Sequence, residues 1–537
     1  MVPEDSLTEL RKTLDWRDKL NARNIPVFAW DDYEPDDDGE PRLKSDGGTC
    51  AMAPDIEHVD VSQVQEDDDE QFRLAEREAL MEEHNEPIAP ISTDQGRTDL
   101  ANAKRLVAAH GQDLRFVGNW GKWLAFDGRR WKIDDLREVQ ARAKLIASSH
   151  WQAIADASGG DNATLGFAKR SCNKGGTLAM IELAADELAI HSDDLDPVDK
   201  SRWLLNLANG TLELSADCNE PPRLREHRRE DLLTNVCEFA YNRDADCPMW
   251  RKFIYEIMDN DQAKVDYLQQ LCGYWITGAV TAKILPILYG SGDNGKSVFV
   301  ETMLALLNDY ALSAPRGLLV TSKTEQHPTI RASLYRKRFV AECETGANLP
   351  LNEALAKQLT GMDTLTARRM REDNWSFQPT HKLVIGTNNK PRIQGTDQAI
   401  WNRIKLVPFT VTIPEEKQDG NLGDKLKATE LPGILNWCLI GLKAWQADGF
   451  IEPDEVRVAT DEYRADSDSF GAFLADAVEE SEYERVQASV LYQAYQEQGG
   501  RLNQTNFGLE MKRRGYEKRT GSGGFKYYMG VCLREQR

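Results

Sequence analysis

The chain has 537 residues, 41% of them hydrophobic and 29% charged, which is too long for one ordinary hydrophobic core and predicts several domains. It has 66 Lys and Arg residues and 88 Asp and Glu residues, which gives a formal net charge of −22. No apolar run is long enough to cross a bilayer and the N-terminus has no signal-peptide pattern, so we expect a cytoplasmic protein without membrane contact.

The first 95 residues are predicted to form an acidic, largely disordered arm. Acidic side chains are concentrated at positions 31–40 and 66–70, and large apolar residues are few. Runs of like charge repel one another and rarely form a packed core. The net charge therefore describes this arm and does not argue against basic surfaces elsewhere. A small irregular subdomain is the alternative for this region.

Residues 96–245 are predicted to form an α+β N-terminal domain. An amphipathic helical pattern in NAKRLVAAHG is followed by alternating apolar residues that predict a β-meander. Three tryptophans of the meander are expected to pack on one of its sides: Trp120, Trp123 and Trp131. We favour core packing for them over stacking on nucleic-acid bases. Further along, LLNLANGTLEL predicts a hairpin around its Asn-Gly dipeptide.

Residues 246–450 are predicted to form an α/β domain. The segment 248–280 has a helical pattern, and it leads into ILPILYG, an uninterrupted apolar run typical of a buried strand in a parallel sheet. Apolar strands and polar helices then alternate to about position 410, which is the pattern of an α/β fold. A further helix is predicted over 431–445.

One segment of this domain matches the phosphate-binding pattern GxxxxGK[ST] in full. It consists of Gly290, Ser291, Gly292, Asp293, Asn294, Gly295, Lys296 and Ser297. A predicted strand precedes it and a predicted helix follows, so backbone N–H groups and the positive end of the helix would surround a phosphate. We therefore predict that this loop binds ATP, that Lys296 reaches the β- and γ-phosphates, and that Ser297 holds Mg²⁺.

Two acidic residues, Glu342 and Glu344, end the stretch RKRFVAECE, whose centre is apolar. Residues two apart on a strand face the same way, so both carboxylates would stand at one strand tip. An ATP-hydrolysing site needs one carboxylate for the Mg²⁺ shell and one to polarise the attacking water, and these two are the candidates. Solvated acids at the end of a strand are the alternative.

Two further polar residues follow in the same domain. Asn388 ends the apolar strand in THKLVIGTNNKP, where an amide can orient the lytic water and sense the γ-phosphate. Fifteen residues later, Arg403 is a candidate to reach the γ-phosphate of a neighbouring subunit and to stabilise transition-state charge. Polar strand ends and surface arginines are common, so these signals gain weight only from their order after the loop and the acidic strand.

A basic turn lies between the acidic strand and Asn388. Two extended stretches flank a polar tip that carries Arg368, Arg369 and Arg371. We predict a β-hairpin whose arginines, in a ring of subunits, would project into a central channel and bind DNA phosphates without reading bases. An exposed basic turn without a ligand is the alternative.

The order of loop, acidic strand, basic hairpin, Asn-tipped strand and arginine resembles that of superfamily 3 helicases, specifically the phage/plasmid primase and poxvirus-type primase-helicase group. The stretches NEALAKQLTGMDTLTARRM, HKLVIGTNNKP and, upstream, NWGKWLAFDGRRW look like sequences of this group, and the resemblance covers about residues 97–445. It implies a multidomain protein with an α/β AAA+-like P-loop ATPase core. Five residues fall on family motif positions: Lys296, Ser297, Glu344, Asn388 and Arg403.

The last segment, residues 465–537, resembles the winged-helix domain found at the end of many relatives. ASVLYQAYQEQGG and NQTNFGLEMKRRG predict two helices, and GYEKRTGSGGFKYYMGV predicts two strands around a glycine-rich wing. The basic side chains expected to meet DNA phosphates are Lys512, Arg513, Arg514, Lys518, Arg519 and Lys526. A small domain for protein contacts is the alternative.

The resemblance implies an ATP-dependent DNA helicase of phage, prophage or plasmid replication. Such helicases are homo-oligomers, usually hexameric rings, that translocate on single-stranded DNA at forks, here in a bacterial cytoplasm or nucleoid. The first 95 residues lack a primase-like core, and no Cys/His cluster suggests a primase zinc site, so we expect a separate primase or replication protein as partner.

Two alternative functions stay open: an initiator ATPase that melts an origin without processive unwinding, and a non-catalytic nucleotide-binding scaffold. Gly346 is the only support for the scaffold, because the family usually has a second acid at that position. Whether Glu342 substitutes for this acid, and how it would share the work with Glu344, is left open by the sequence.

Overall fold

The computed structural model describes residues 33–35, 41–43, 88–156, 160–315, 317–321, 328–343, 350–368, 374–393, 398–500 and 502–534. The chain divides into two compact units, Met1–Pro87 and Ile88–Arg537. In the first unit, the described residues form β1 (Tyr33–Pro35) and β2 (Pro41–Leu43), which pair antiparallel. Most of the predicted acidic arm, including positions 66–70, lies outside the described residues.

The second unit begins with a small sheet covered by helices. Its elements are α1 (Asp99–His110), β3 (Leu114–Val117), β4 (Lys122–Phe126), β5 (Trp131–Ile133), α2 (Glu138–Asp156), α3 (Asn162–Ser171), α4 (Lys174–Glu187) and β6 (Ala189–Ile190). The strands have the order β5-β4-β3-β6, with β3, β4 and β5 antiparallel, which confirms the predicted meander. The side chain of Thr98 accepts a hydrogen bond from the Ala101 amide, so α1 begins with an N-cap.

The prediction that the three tryptophans pack on one side of the meander is wrong. Trp131 pairs with Phe126, whereas Trp123 lies three positions earlier on the same strand as Phe126. Successive residues of a strand point to opposite faces, so Trp123 and Trp131 join two different hydrophobic clusters. Core packing is right for Trp131, which is 1% exposed and donates its Nε1–H to the Arg229 carbonyl at 2.9 Å.

A second small sheet follows, with the elements α5 (Val198–Ser201), β7 (Leu204–Leu207), β8 (Gly210–Glu213) and β9 (Arg223–Arg225). β7 and β8 form the predicted hairpin, and Leu207 pairs with Gly210, so residues 208 and 209 make the turn. Asn206 is fully buried, and its Oδ1 accepts from the Thr211 hydroxyl at 3.1 Å. This polar contact fixes the hairpin from inside, because a buried amide without partners would be costly.

The centre of the second unit is a five-stranded parallel sheet. Its strands are β10 (Leu285–Tyr289), β11 (Ala311–Ser313), β12 (Phe339–Cys343), β15 (Lys382–Thr387) and β16 (Ile404–Pro408), in the order β11-β12-β15-β10-β16. A separate antiparallel pair, β13 (Leu365–Arg368) and β14 (Asn374–Phe377), lies between β12 and β15 in the sequence but not in the sheet. The parallel sheet is the α/β fold that the alternating apolar segments predict.

Helices cover both faces of this sheet and explain the uninterrupted apolar strands. They are α6 (Pro248–Ile257), α7 (Gln262–Trp275), α8 (Lys296–Leu307), α9 (Pro328–Ser333), α10 (Glu353–Leu359), α11 (Gln398–Trp401), α12 (Leu422–Thr429), α13 (Leu431–Asp448) and α14 (Asp454–Ser467). One hydrophobic cluster contains residues of α6, α7, α8 and α13, and a second contains residues of α10, α11, β13 and β14. Alternate residues of β12 therefore join different clusters, Ala341 the first and Val340 the second.

The C-terminal part has a hydrophobic cluster of its own. It contains α15 (Ser469–Ala477), β17 (Val478–Gln487), α16 (Ala488–Glu497), α17 (Gln504–Arg513), β18 (Lys518–Thr520) and β19 (Lys526–Leu533), and the strand order is β17-β19-β18. The structure confirms the two predicted helices and the two strands around the glycine-rich turn. β17 was not predicted from the sequence, because its segment VEESEYERVQ is mostly charged or polar. Its pairing with β19 shifts register between Glu480 and Arg485.

Among the residues that the structure describes, none of the helices combines the length and the apolar character needed to cross a membrane.

A candidate nucleotide-binding site at one edge of the central sheet

The predicted phosphate loop connects β10 to α8 and is closely packed at both of its ends. A Cβ atom on Gly290 would lie 2.3 Å from the Asn294 side-chain nitrogen and 2.3 Å from the Phe409 carbonyl oxygen. Gly295 has a φ of +80°, and a Cβ there would lie 2.7 Å from Ile257 and 2.8 Å from Phe253 of α6. Glycine is therefore required at both positions, on steric grounds at the first and on steric and conformational grounds at the second.

Lys296 is the first residue of α8, and its side chain folds back into the loop. It is 7% exposed, and its Nζ donates to the Gly290 carbonyl at 2.8 Å and to Asn294 Oδ1 at 2.9 Å. Burial lowers the pKa of the Lys296 ammonium. Asn294, which is 3% exposed, is held in turn by a bond from its Nδ2 to the Phe409 carbonyl at 3.3 Å. The loop thus keeps its shape through its own lysine and asparagine.

The amide groups of the loop are suited to bind an anion. The N–H groups of residues 291–295, all within the described part of the chain, have no protein acceptor. They precede the N-terminus of α8, where the helix dipole favours negative charge. Ser297 is exposed beside them, so its hydroxyl is accessible to a cation bound to such an anion. These residues fit a phosphate group together with Mg²⁺.

The strand order brings Asn388 to the same edge of the sheet. β15 lies between β10 and β12, with Thr387 directly opposite Tyr289 and the Gly290 amide donating to the Thr387 carbonyl at 3.3 Å. Asn388 is the next residue and is exposed. Neighbouring strands are about 5 Å apart, so Asn388 stands roughly that far from the start of the loop.

Glu342 has partners that the sequence analysis did not foresee. Its side chain is 2% exposed, and its two oxygens accept from the backbone amides of Gly317 at 2.7 Å and of Leu319 at 3.0 Å. Burial raises the pKa of this carboxyl, although the amides oppose the shift. The predicted metal and catalytic role of Glu342 stays a prediction, but the geometry gives the residue a second task, which is to hold the loop after β11. Glu344 and Gly346 lie outside the described residues.

Arg403 is not brought to the phosphate loop of its own chain. It immediately precedes β16, and its carbonyl accepts from the Leu285 amide at the start of β10, so it lies at the opposite edge of the sheet. The five residues of β16 span about 17 Å at a rise of about 3.3 Å per residue. Its guanidinium donates to the Thr360 hydroxyl at 3.1 Å and to the Ala399 carbonyl at 2.6 Å.

The predicted basic hairpin is present as β13 and β14. Arg368 ends β13 opposite Asn374 and is exposed, whereas Arg369 and Arg371 lie outside the described residues. At the other end of the hairpin, Leu365 and Phe377 pair and join the second hydrophobic cluster of the sheet. The base of the hairpin is therefore part of the hydrophobic core around the central sheet.

The basic residues predicted for the C-terminal part do not share one environment. Five of them are exposed: Lys512, Arg513, Lys518, Arg519 and Lys526. Arg514 differs, because it donates to Asp468 Oδ1 at 2.6 Å and to Glu510 Oε1 at 3.1 Å and lies 5.2 Å from the Phe470 ring. Those contacts tie α17 to the start of α15, so Arg514 is engaged inside the protein in this conformation.

Two segments of the chain match known families. Residues 103–259 match the family described as "D5 N terminal like", and residues 288–403 match a family of unknown function, DUF5906. The chain is 25% identical over 315 residues to "Putative helicase L207/L206" of Acanthamoeba polyphaga mimivirus, which covers 54% of this chain and 32% of that protein. It is also 25% identical over 356 residues to "Putative helicase 184R" of Invertebrate iridescent virus 6, covering 59% and 36%.

In these segments the chain is similar to proteins of the poxvirus-type D5 primase-helicase family. Another relative with this type of name is "Putative primase C962R" of African swine fever virus, 23% identical over 240 residues that cover 43% of this chain and 24% of the viral protein. The chain spans about a third of the length of the curated relatives named above, or less. The matched D5 segment runs through α6, which packs against Gly295, so it includes part of the support of the phosphate loop.

Solved structures give a weaker likeness. The apo structure of the C-terminal region of NrS-1 is 11% identical, with a TM-score of 0.46, and the alignment covers 81% of this chain and 99% of that one. A second apo form of the same region has a TM-score of 0.44 at 10% identity and covers 81% of this chain.

Replacing Glu342 by Gln tests its role in this chain. Glutamine keeps one acceptor but presents an NH₂ group to the second amide, so we expect the free energy of unfolding to fall by about 1–3 kcal/mol, the usual cost of a buried donor without an acceptor. Urea denaturation measures this, and Glu256→Gln, an exposed site on α6, is the control and should have no effect. Unchanged stability together with lost ATP turnover would instead make Glu342 a residue of the reaction.

Proposed function

We propose that this chain is an ATP-dependent DNA helicase with an AAA+-like P-loop ATPase core. The observation that carries the proposal is the loop at residues 290–297, whose amides 291–295 have no protein acceptor and which lies beside Asn388 at one edge of a parallel sheet. In open α/β sheets, ligands bind at the carboxyl ends of the strands, which supports placing the nucleotide there.

The residues of this edge would divide the work of ATP hydrolysis among them. The loop amides would bind the phosphate oxygens, and Lys296 would exchange one of its bonds, to Gly290 or Asn294, for a γ-phosphate oxygen. Ser297 would hold Mg²⁺, which supplies charge neutralisation of the phosphates when bound. Asn388 would orient the attacking water. Because Glu342 is already bonded to two backbone amides, we assign the polarising carboxylate to Glu344.

Arg403 would act on a neighbouring subunit. It lies at the amino ends of the strands, whereas the phosphate loop of its own chain lies at the carboxyl ends. Arg403 can therefore reach a γ-phosphate only in another copy. An arginine supplied in trans stabilises the charge of the transition state. To do so, its guanidinium would leave Thr360 and Ala399, its partners within the chain. This geometry supports a ring of subunits, proposed to be a hexamer.

DNA would be bound through phosphates at two places. The hairpin arginines, Arg368, Arg369 and Arg371, would grip single-stranded DNA in the channel of the ring. The C-terminal part, proposed to be a winged helix, offers Lys512 on α17 and Lys518, Arg519 and Lys526 on the strands around the glycine-rich turn. These contacts would be independent of DNA sequence, because phosphate groups carry no direct information about the bases.

The proposed setting is DNA replication in a phage, prophage or plasmid, in the bacterial cytoplasm or nucleoid. The relatives named above are called helicase or primase, and the chain matches about a third of their length or less. We propose a primase or another replication protein as a partner.

Lys296→Ala tests the motor directly. We expect wild-type ATP hydrolysis to increase when single-stranded DNA is added, and the variant to lose about 10²-fold or more in turnover, because a charged donor to the transferred phosphoryl group is gone. Lys283→Ala, an exposed lysine just before β10, is the matched control and should retain wild-type turnover. Turnover at background in folded wild-type protein would favour the non-catalytic scaffold instead.

Mixing two inactive variants tests the role of Arg403 in trans. A Lys296→Ala subunit still offers its arginine, and an Arg403→Ala subunit still offers its loop, so an interface that combines them is complete. With random assembly from equal amounts, we expect about a quarter of the wild-type turnover, since one interface in four has the productive arrangement. If the mixture hydrolyses ATP no faster than the sum of the separate variants, Arg403 does not act across subunits.

A further inference from the structure

A turn of the chain links the base of the basic hairpin to the predicted N-terminal domain, residues 96–245. Tyr335 and Arg336 lie in the turn between α9 and β12. The Tyr335 ring packs edge-on against Trp375 and Phe377 of β14, with ring centroids 4.6 Å and 5.3 Å apart. On its other side it meets Trp120 of the N-terminal domain at 6.5 Å, and its hydroxyl donates to the Ser192 carbonyl at 3.2 Å.

Arg336, the next residue, makes polar contacts with the same domain. We call the contacts of Tyr335 and Arg336 with that domain the junction. Its guanidinium donates to the Leu195 carbonyl at 2.9 Å and to the Thr234 hydroxyl at 3.0 Å, and its Nε lies 3.0 Å from Asp196 Oδ2. It also lies over the Tyr335 ring, 4.2 Å from the centroid. All of the polar partners belong to the N-terminal domain, whereas Arg336 itself is three residues before the acidic strand β12.

The backbone at Arg336 indicates that this turn is held by its contacts. Arg336 has a φ of +61°, a left-handed conformation that is unfavourable for a residue other than glycine. Such conformations persist where the surrounding structure determines them. The Asn235 side chain donates to the Arg336 carbonyl at 3.0 Å, so the peptide itself is bound to the N-terminal domain as well as the guanidinium.

A cavity lies beside the junction. It measures about 520 Å³ and is lined by Asp196, Tyr335, Arg336, Phe377 and Gln378, among others. The lining comes from the N-terminal domain, from the turn and from the segment that starts in β14. Because this space adjoins the junction, the base of the hairpin can shift relative to the N-terminal domain without new clashes. Tyr335 can stay in contact with the hairpin during such a shift.

We infer that Tyr335 and Arg336 are positioning residues that couple the DNA-gripping hairpin to the N-terminal domain across the start of the acidic strand. The inference rests on the proposed function for its consequence, but the coupling itself is a structural claim. When the hairpin moves with the nucleotide state, this turn transmits the movement to the N-terminal domain. Without it, the hairpin arginines still bind DNA, but their position no longer depends on the N-terminal domain.

Arg336→Gly removes the side-chain contacts of the junction while it keeps the backbone conformation of the turn. Glycine adopts a φ of +61° freely, so the turn is kept and only the side chain with its guanidinium is lost. The chain offers a matched control, because Arg137 has the same φ of +61°, is exposed, and has no polar side-chain partner among the described residues. Arg137→Gly therefore makes the same change in charge and backbone freedom away from the junction.

Two measurements on the full chain test the inference. In hydrogen exchange, the amides of residues 365–368 and 374–377 should exchange about tenfold faster in Arg336→Gly and at the wild-type rate in Arg137→Gly. In ATP hydrolysis, the maximal stimulation by single-stranded DNA should fall about fivefold or more in Arg336→Gly, a size typical of coupling between sites. The DNA concentration for half-stimulation should stay within about twofold, since the phosphate contacts of the hairpin tip are kept.

Tyr335→Phe serves as the second variant if Arg336→Gly folds poorly. It removes only the hydroxyl bond to Ser192 and keeps the ring contacts, so we expect a smaller change in the same direction. Unchanged hairpin exchange in Arg336→Gly would overturn the inference, whether or not the chain hydrolyses ATP. Equal DNA stimulation in Arg336→Gly and Arg137→Gly would also overturn it. If wild-type protein does not hydrolyse ATP, the proposed function is wrong. The hydrogen-exchange rates of the hairpin would still test whether the junction holds the hairpin.

Discussion

The parallel direction of the five central strands is the constraint on which the proposed site depends. It gathers the carboxyl ends of β10, β12 and β15 at one edge, so the phosphate loop and Asn388 become neighbours and the described end of β12 lies at the same edge, although these segments are far apart in sequence. The same direction moves Arg403, which precedes its strand, to the opposite edge. The proposed nucleotide-binding edge and the opposite edge with Arg403 would suit the proposed ring, in which one edge of each subunit meets the other edge of the next copy.

Burial sets the roles of the charged residues around this sheet. Lys296 and Glu342 are both almost entirely inside the protein, and each is bonded to groups of the chain: the lysine to Gly290 and Asn294, the carboxylate to two amides after β11. A buried charge needs such partners, because its desolvation is otherwise too costly. The lysine can exchange a carbonyl for a phosphate oxygen, whereas Glu342 would have to release two amides at once. We therefore see the first as part of the nucleotide site and the second as a support for it.

The sequence predicted what depends on local pattern. The phosphate loop between a strand and a helix, the buried strand before Asn388, the hairpin with Arg368 and the two helices before the glycine-rich turn all follow from periodicity and turn residues. Contacts between distant segments were not predictable in this way. The amides that bind Glu342 come from 23 and 25 residues upstream, and Arg514 is bonded to Asp468, 46 residues away. The faces of Trp123 and Trp131 depend on strand register, and β17 is too charged to show a strand pattern.

Strand displacement on a forked DNA duplex directly tests the proposal that this sheet edge converts ATP hydrolysis into DNA unwinding. We expect wild-type protein with ATP and Mg²⁺ to separate the strands, and Arg403→Ala, with its loop intact, to leave them paired. Rapid DNA-stimulated hydrolysis by wild-type protein with no strand separation, on forks with either single-stranded tail, would contradict it and would identify the chain as an initiator ATPase.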